Sequence, residues 1–160
     1  CLVGCLFVCL LVWLFCLGCS GNPEEPKVEK PWFSEEAKTR GIDFVFDWVL
    51  DDLPCWMTTI HGSMIAMPYT LEINDSPIYA VERQSSPEIE RRMNDTLACF
   101  DGELDRNPKV LTLGLHPHLI AVPHRIGYLA KMLDTLQARN DTVFMLGSEI
   151  ADWFVEADGE

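Results

Sequence analysis

The chain has 160 residues, 48% of them apolar and 23% charged, which is enough to build the core of one ordinary domain. Its 12 basic and 25 acidic residues leave a formal net charge of −13, which argues against a nucleic-acid backbone or an anionic membrane surface as partner. Five of the seven cysteines fall in the first 19 residues, leaving Cys55 and Cys99, so neither a disulfide framework nor a zinc cage is indicated.

The first stretch, Cys1 to Asn22, CLVGCLFVCLLVWLFCLGCSGN, carries no charge. As a helix, Leu2 to Leu17 would span about 25 Å, the lower edge of what crosses a bilayer. Residues 1–19 therefore read as a hydrophobic helix that serves as a signal, a membrane anchor or a buried core helix. The lack of an initial Met and a basic leader leaves a fragment or a misread start open as well. Cys16-Leu17-Gly18-Cys19 is similar to a lipoprotein processing site. A genuine signal or anchor would make the protein membrane-associated or secreted, and otherwise it reads as cytoplasmic. Residues 20–31, SGNPEEPKVEKP, have nothing to bury and form a linker.

The folded domain is expected over residues 32–160. Ser34, followed by Glu35 and Glu36, predicts a short helix ending at Gly41. IDFVFDWVL, residues 42–50, alternates Ile42, Phe44 and Phe46 on one face and predicts a strand. DDLPCWM breaks that pattern, MIAMPYTLEIN resumes an extended run, and Asn74-Asp75-Ser76-Pro77 is a turn cluster. From Ser86 a helix is predicted, with Pro87 in its first turn and Ile89, Met93, Leu97 and Phe100 on one face. LTLGL, residues 111–115, reads as a buried strand delivering His116 at its carboxyl end. HRIGYLAKMLDTLQAR is an amphipathic helix, TVFML a strand, and SEIADWFVEA a closing helix with Ser148 as cap. This order implies an α/β fold of parallel β/α units.

Three of the four histidines, His116, His118 and His124, crowd into nine positions after the LTLGL strand. In parallel β/α folds ligands bind outside the carboxyl ends of strands, which singles out His116 and the DWVLDD stretch, residues 47–52. An Asp from that stretch could orient His116 and suit it to general acid or base work. Alternatives stand beside each assignment. Asp51 and Asp52 fit equally as turn formers before Pro54, and a strand-end His before Pro is often satisfied by backbone groups. His118 would share a face with His116 only if the strand ran through Pro117. His124 reads as a surface or phosphate-facing residue and His61 as a turn residue. Trp48, Trp56 and Tyr69 suit either a sugar-binding surface or the core. Two N-x-T sequons, at Asn94 and Asn140, matter only in a secreted eukaryotic protein. No G-x-S-x-G elbow, P-loop or G-x-G-x-x-G is present.

DWVLDDLPCWM, MPYTLEINDSP and LGLHPHLIAVPHRIGYLAKML, in this order, resemble the C-terminal half of the NodB-homology polysaccharide deacetylases, in the branch with allantoinase-like and peptidoglycan-deacetylase-like proteins. The resemblance spans roughly Phe44 to Trp153. It implies a partial, distorted (β/α) barrel and a hydrolase of C–N bonds other than peptide bonds, deacetylating a glycan or opening a small amide. It also implies a divalent metal, zinc by family habit, with an Asp as base and a late His protonating the leaving amine. It assigns His116 to that late His and Asp51 to the Asp that tunes it, both as catalytic residues. Trp48, Tyr69, Asn74, Asp75, Leu113 and Leu115 fall to substrate binding, the two leucines beside the acyl pocket. No metal ligand can be assigned, because no H-x-x-x-H occurs in the chain. Hydrolysis by these residues alone is therefore not expected, and open barrel edges would invite self-association. The rival readings are a membrane-tethered, non-catalytic carbohydrate-binding or interaction domain, and a truncated product without independent function.

Overall fold

The computed structural model describes residues 6–12, 44–46, 48–49, 51–60 and 62–158. The short helix expected over 34–41, the linker over 20–31 and the assignment of His61 lie outside the described residues.

The described fold is mixed α/β, with two three-stranded sheets. One has β1 (Leu6–Val12) in the middle, flanked in parallel by β5 (Lys109–Leu115) and β6 (Thr142–Phe144). Within residues 1–19, expected as a helix, the described part Leu6–Val12 is this middle strand. An unbroken apolar run is the signature of a strand buried in a parallel sheet, and it carries no period that separates it from a buried helix. No described helix is long and apolar enough to cross a membrane.

The second sheet has the order β2-β4-β3, with β2 (Phe44–Val45) parallel to β4 (Gly62–Ala66) and β4 antiparallel to β3 (Cys55–Thr59). Strand β3 falls where the sequence pattern read as a break. The strand expected over 42–50 contracts, in its described part, to two residues.

Beyond β4 the chain runs beside β5, with a turn over residues 71–73. Thr112 Oγ1 donates to the Pro68 carbonyl at 2.7 Å, Gly114 N–H donates to the Ile73 carbonyl at 3.1 Å, and Asn74 forms a parallel bridge with Gly114. The expected turn at 74–77 is instead the lead into a π-helical turn, Ser76–Val81.

Helix α1 (Glu88–Asp101) forms as the pattern predicts and buries Ile89, Met93, Leu97 and Phe100. At about 1.5–3 kcal/mol for each large apolar side chain removed from water, this face is the main force docking the helix. Glu88 and Glu90 lie at its positive end. After β5 come the short α2 (Pro117–Ile120), α3 (Ile126–Gln137) and α4 (Gly147–Asp158). Ser148 falls inside the first turn of α4 rather than capping it, and the Glu149 carboxylate accepts from the Leu146 N–H at 2.6 Å.

Two of the three core clusters among the described residues lie one on each face of β5. Leu111, Leu113 and Leu115 point into the first, with Ile73, Ile78, α1, Met132 and Leu136. Val110 points into the second, with Ile65, Met67 and Ile150 of α4. The period-2 alternation of a strand thereby sorts β5 into a leucine face and a Val110, Thr112, Gly114 face.

Candidate functional site

Strand β5 is buried along its whole length and ends at His116, which is extended and serves as the N-cap position of α2. Pro117 supplies no backbone N–H to continue a ladder, so the strand stops and the imidazole is left at its carboxyl end. The His116 side chain is 14% exposed.

Its partner is Asp75. Asp75 is fully buried, and its two carboxylate oxygens are both used: Oδ2 accepts the His116 backbone N–H at 2.8 Å and Oδ1 meets the His116 Nδ1 at 2.6 Å. A carboxylate can only accept, so the proton between them sits on Nδ1. Nε2 is then the nitrogen left to exchange a proton with a substrate.

A glycine makes this pairing possible. A Cβ on Gly114 would lie 2.5 Å from Asn74 Nδ2 and 2.6 Å from its Cγ, so any side chain there would push Asn74 away from the strand. Asn74 is itself buried, donating to the Tyr69 hydroxyl at 2.7 Å and accepting the Ser76 N–H at 3.0 Å. Two hydrogen-bonded pairs, Tyr69–Asn74 and Asp75–His116, thus meet at the adjacent residues Asn74 and Asp75. Burial, the largest influence, raises the Tyr69 hydroxyl above its ordinary range; the bond from Asn74 works against it, and the nearby Asp75 charge adds to it.

The pairing of Asp51 with His116 expected from the sequence is corrected here. Asp51 is exposed and accepts the N–H of Asp52 at 2.7 Å, while Asp75 fills the position beside the ring. Asp51 instead lines a cavity of about 310 Å³ together with Asp52, Tyr69, Thr70, Glu72 and Thr112. That cavity borders Val110 to Thr112, the first half of β5, away from His116. Desolvation raises the Asp52 carboxyl, with Lys109 opposing it, whereas the bond from the Thr70 hydroxyl lowers Glu72.

The remaining candidates separate cleanly. Leu113 and Leu115 lie on the leucine face of β5, packed in the core. Asn74 and Asp75 are buried, and Asp75 bonds His116. Trp48 is 51% exposed. His118, in α2, meets His116 edge-on, ring centroids 5.8 Å apart.

The divalent metal that the resemblance implies has no fitting cradle here: among the described residues no group of three or more His, Cys, Asp or Glu side chains comes together to hold one.

A buried carboxylate orienting a histidine at the carboxyl end of a buried parallel strand is the arrangement that the described residues present. The chain is similar in structure to a probable polysaccharide deacetylase from Pseudomonas aeruginosa PAO1, with a TM-score of 0.67 and 27% identity, over 76% of this chain and 41% of that one. It is also similar to Puue allantoinase, with a TM-score of 0.70 and 22% identity, over 78% of this chain and 42% of that one, a likeness of fold. The chain spans about two fifths of the length of these structures. No family model and no curated protein matches it.

Proposed function

We propose that the chain carries the proton-transfer part of a NodB-type hydrolase acting on a C–N bond other than a peptide bond, and that its two sheets are sections of a distorted (β/α) barrel. The observation that carries this is the Asp75–His116 pair: a fully buried carboxylate holding the Nδ1 of a histidine at the carboxyl end of a buried strand. On this reading Asp75 stabilises the imidazolium. Its Nε2–H passes to the leaving amine as the C–N bond breaks, and the ring regains a proton from water. The structural similarity to a probable polysaccharide deacetylase and to an allantoinase supports a substrate that is either an N-acetylated glycan or a small amide.

General acid catalysis contributes roughly 10²- to 10⁴-fold, whereas enzymes accelerate their reactions by about 10⁶-fold or more. The described residues therefore account for part of the reaction. We assign the rest, including any zinc, to residues other than those described. The test is amine release from N-acetylated glucosamine oligomers and from a cyclic amide, with zinc supplied, by the protein and by His116→Ala. The reading predicts that whatever release occurs falls about 10²-fold or more in the variant. Turnover indifferent to the variant would overturn it.

A further inference from the structure

The two members of the dyad hang from separate short elements. Asp75 immediately precedes the π-helical turn Ser76–Val81, and His116 immediately precedes α2, which has four residues. On the β5 side the pair is held by the Asn74–Gly114 bridge and the Gly114 N–H bond to Ile73; on the far side these two short elements carry it, and a 2.6 Å bond tolerates little play.

Arg125, just before α3, touches both. Its Nη1 donates to the Leu119 carbonyl of α2 at 3.1 Å, and its guanidinium carbon lies 3.9 Å from the centroid of the Tyr79 ring in the π-helical turn. Tyr79 is 7% exposed and its hydroxyl donates to the Ser86 carbonyl at 2.7 Å, so the ring has an anchor of its own. The buried Arg125 Nε meets no protein acceptor. The guanidinium is therefore seated by the stack on Tyr79 and the bond to Leu119.

We propose that Arg125 is a positioning residue: a strut that ties α2 to the π-helical turn and so keeps His116 in register with Asp75. A planar guanidinium can stack on a ring and donate along its edge at once, which an ammonium cannot. The strut rests on the dyad of the proposed function for its catalytic consequence, but its effect on the Asp75–His116 bond is measurable without turnover.

The experiment follows solvent exchange of the His116 Nδ1 proton by ¹H–¹⁵N NMR in the full chain. Arg125→Met and Tyr79→Leu are expected to speed exchange about tenfold through local opening of the loop. Arg125→Lys should fall between them and the parent, and Tyr79→Phe, which keeps the ring, should stay near the parent. Arg139→Met, which breaks the Asp101 and Asp141 pairs elsewhere, serves as the stability control and should leave the proton unchanged. Should Arg125→Met fail to fold, Arg125→Lys and the Tyr79 pair carry the comparison. A protected proton that ignores Arg125 and Tyr79, or one that Arg139→Met disturbs equally, overturns the strut alone. A parent chain with no protected His116 proton defeats dyad and strut together.

Discussion

At the scale of single residues, the site turns on which carboxylate meets His116, and burial decides it. Asp51 stands in solvent and satisfies its neighbour's N–H. Asp75 is fully enclosed and spends both oxygens on His116. Removing one partner of a buried, charge-assisted pair leaves the other unsatisfied, so Asp75→Asn should cost about 1–3 kcal/mol by denaturant titration. Asp51→Asn should shift the midpoint little. Gly114→Ala tests the same geometry from the other side. Its methyl must displace Asn74, with an expected loss of about 1–3 kcal/mol and a weakened His116 bond by NMR. A neutral Gly114→Ala would mean that Asn74 has room to move and that the glycine does not set the pairing.

At the scale of elements, α1 illustrates what sequence pattern can and cannot supply. The spacing of Ile89, Met93, Leu97 and Phe100 predicts the helix and its buried face, and both form as expected. Met93→Ala should cost about 2–5 kcal/mol, since Met93 is fully buried. The first turn of α1 also carries an ion-pair network: Glu88 receives both Arg91 and Arg92, and Arg92 reaches Glu82 beyond the π-helical turn. The bonds from Arg91 and Arg92 push the Glu88 carboxyl down from 4.5 to about 2. A carboxyl depressed by folding contributes stability that is complete above its unfolded value and is lost as pH falls toward the folded one. The melting temperature should therefore fall between pH 4.5 and about 2, and Arg92→Met should flatten that slope. An unaltered slope would place the acid sensitivity elsewhere.

At the scale of the whole molecule, the α/β class, α1, β5, α3 and α4 were legible because each has a strong period or a buried run bounded by turn signals. What was not legible depended on register between distant segments. Residues 67–74 lie alongside β5, and that single placement brings Asp75 to His116 across 41 positions of sequence. The resemblance marks Asn74, Asp75, Leu113 and Leu115 for substrate binding; that all four are buried, and that Asp75 bonds His116, depends on packing that spacing alone does not show. Residues 1–19 read as a hydrophobic helix because an unbroken apolar run carries no period; the parallel pairing of Leu6–Val12 with β5 and β6 is visible only in the fold.

The most direct measurement of the central claim is the hydrogen bond at His116 Nδ1, read as its downfield ¹H–¹⁵N resonance in the parent chain, in Asp75→Asn and in Asp51→Asn. The account predicts a strongly hydrogen-bonded proton in the parent and in Asp51→Asn, and its loss in Asp75→Asn. A resonance that survives Asp75→Asn and disappears in Asp51→Asn would contradict it.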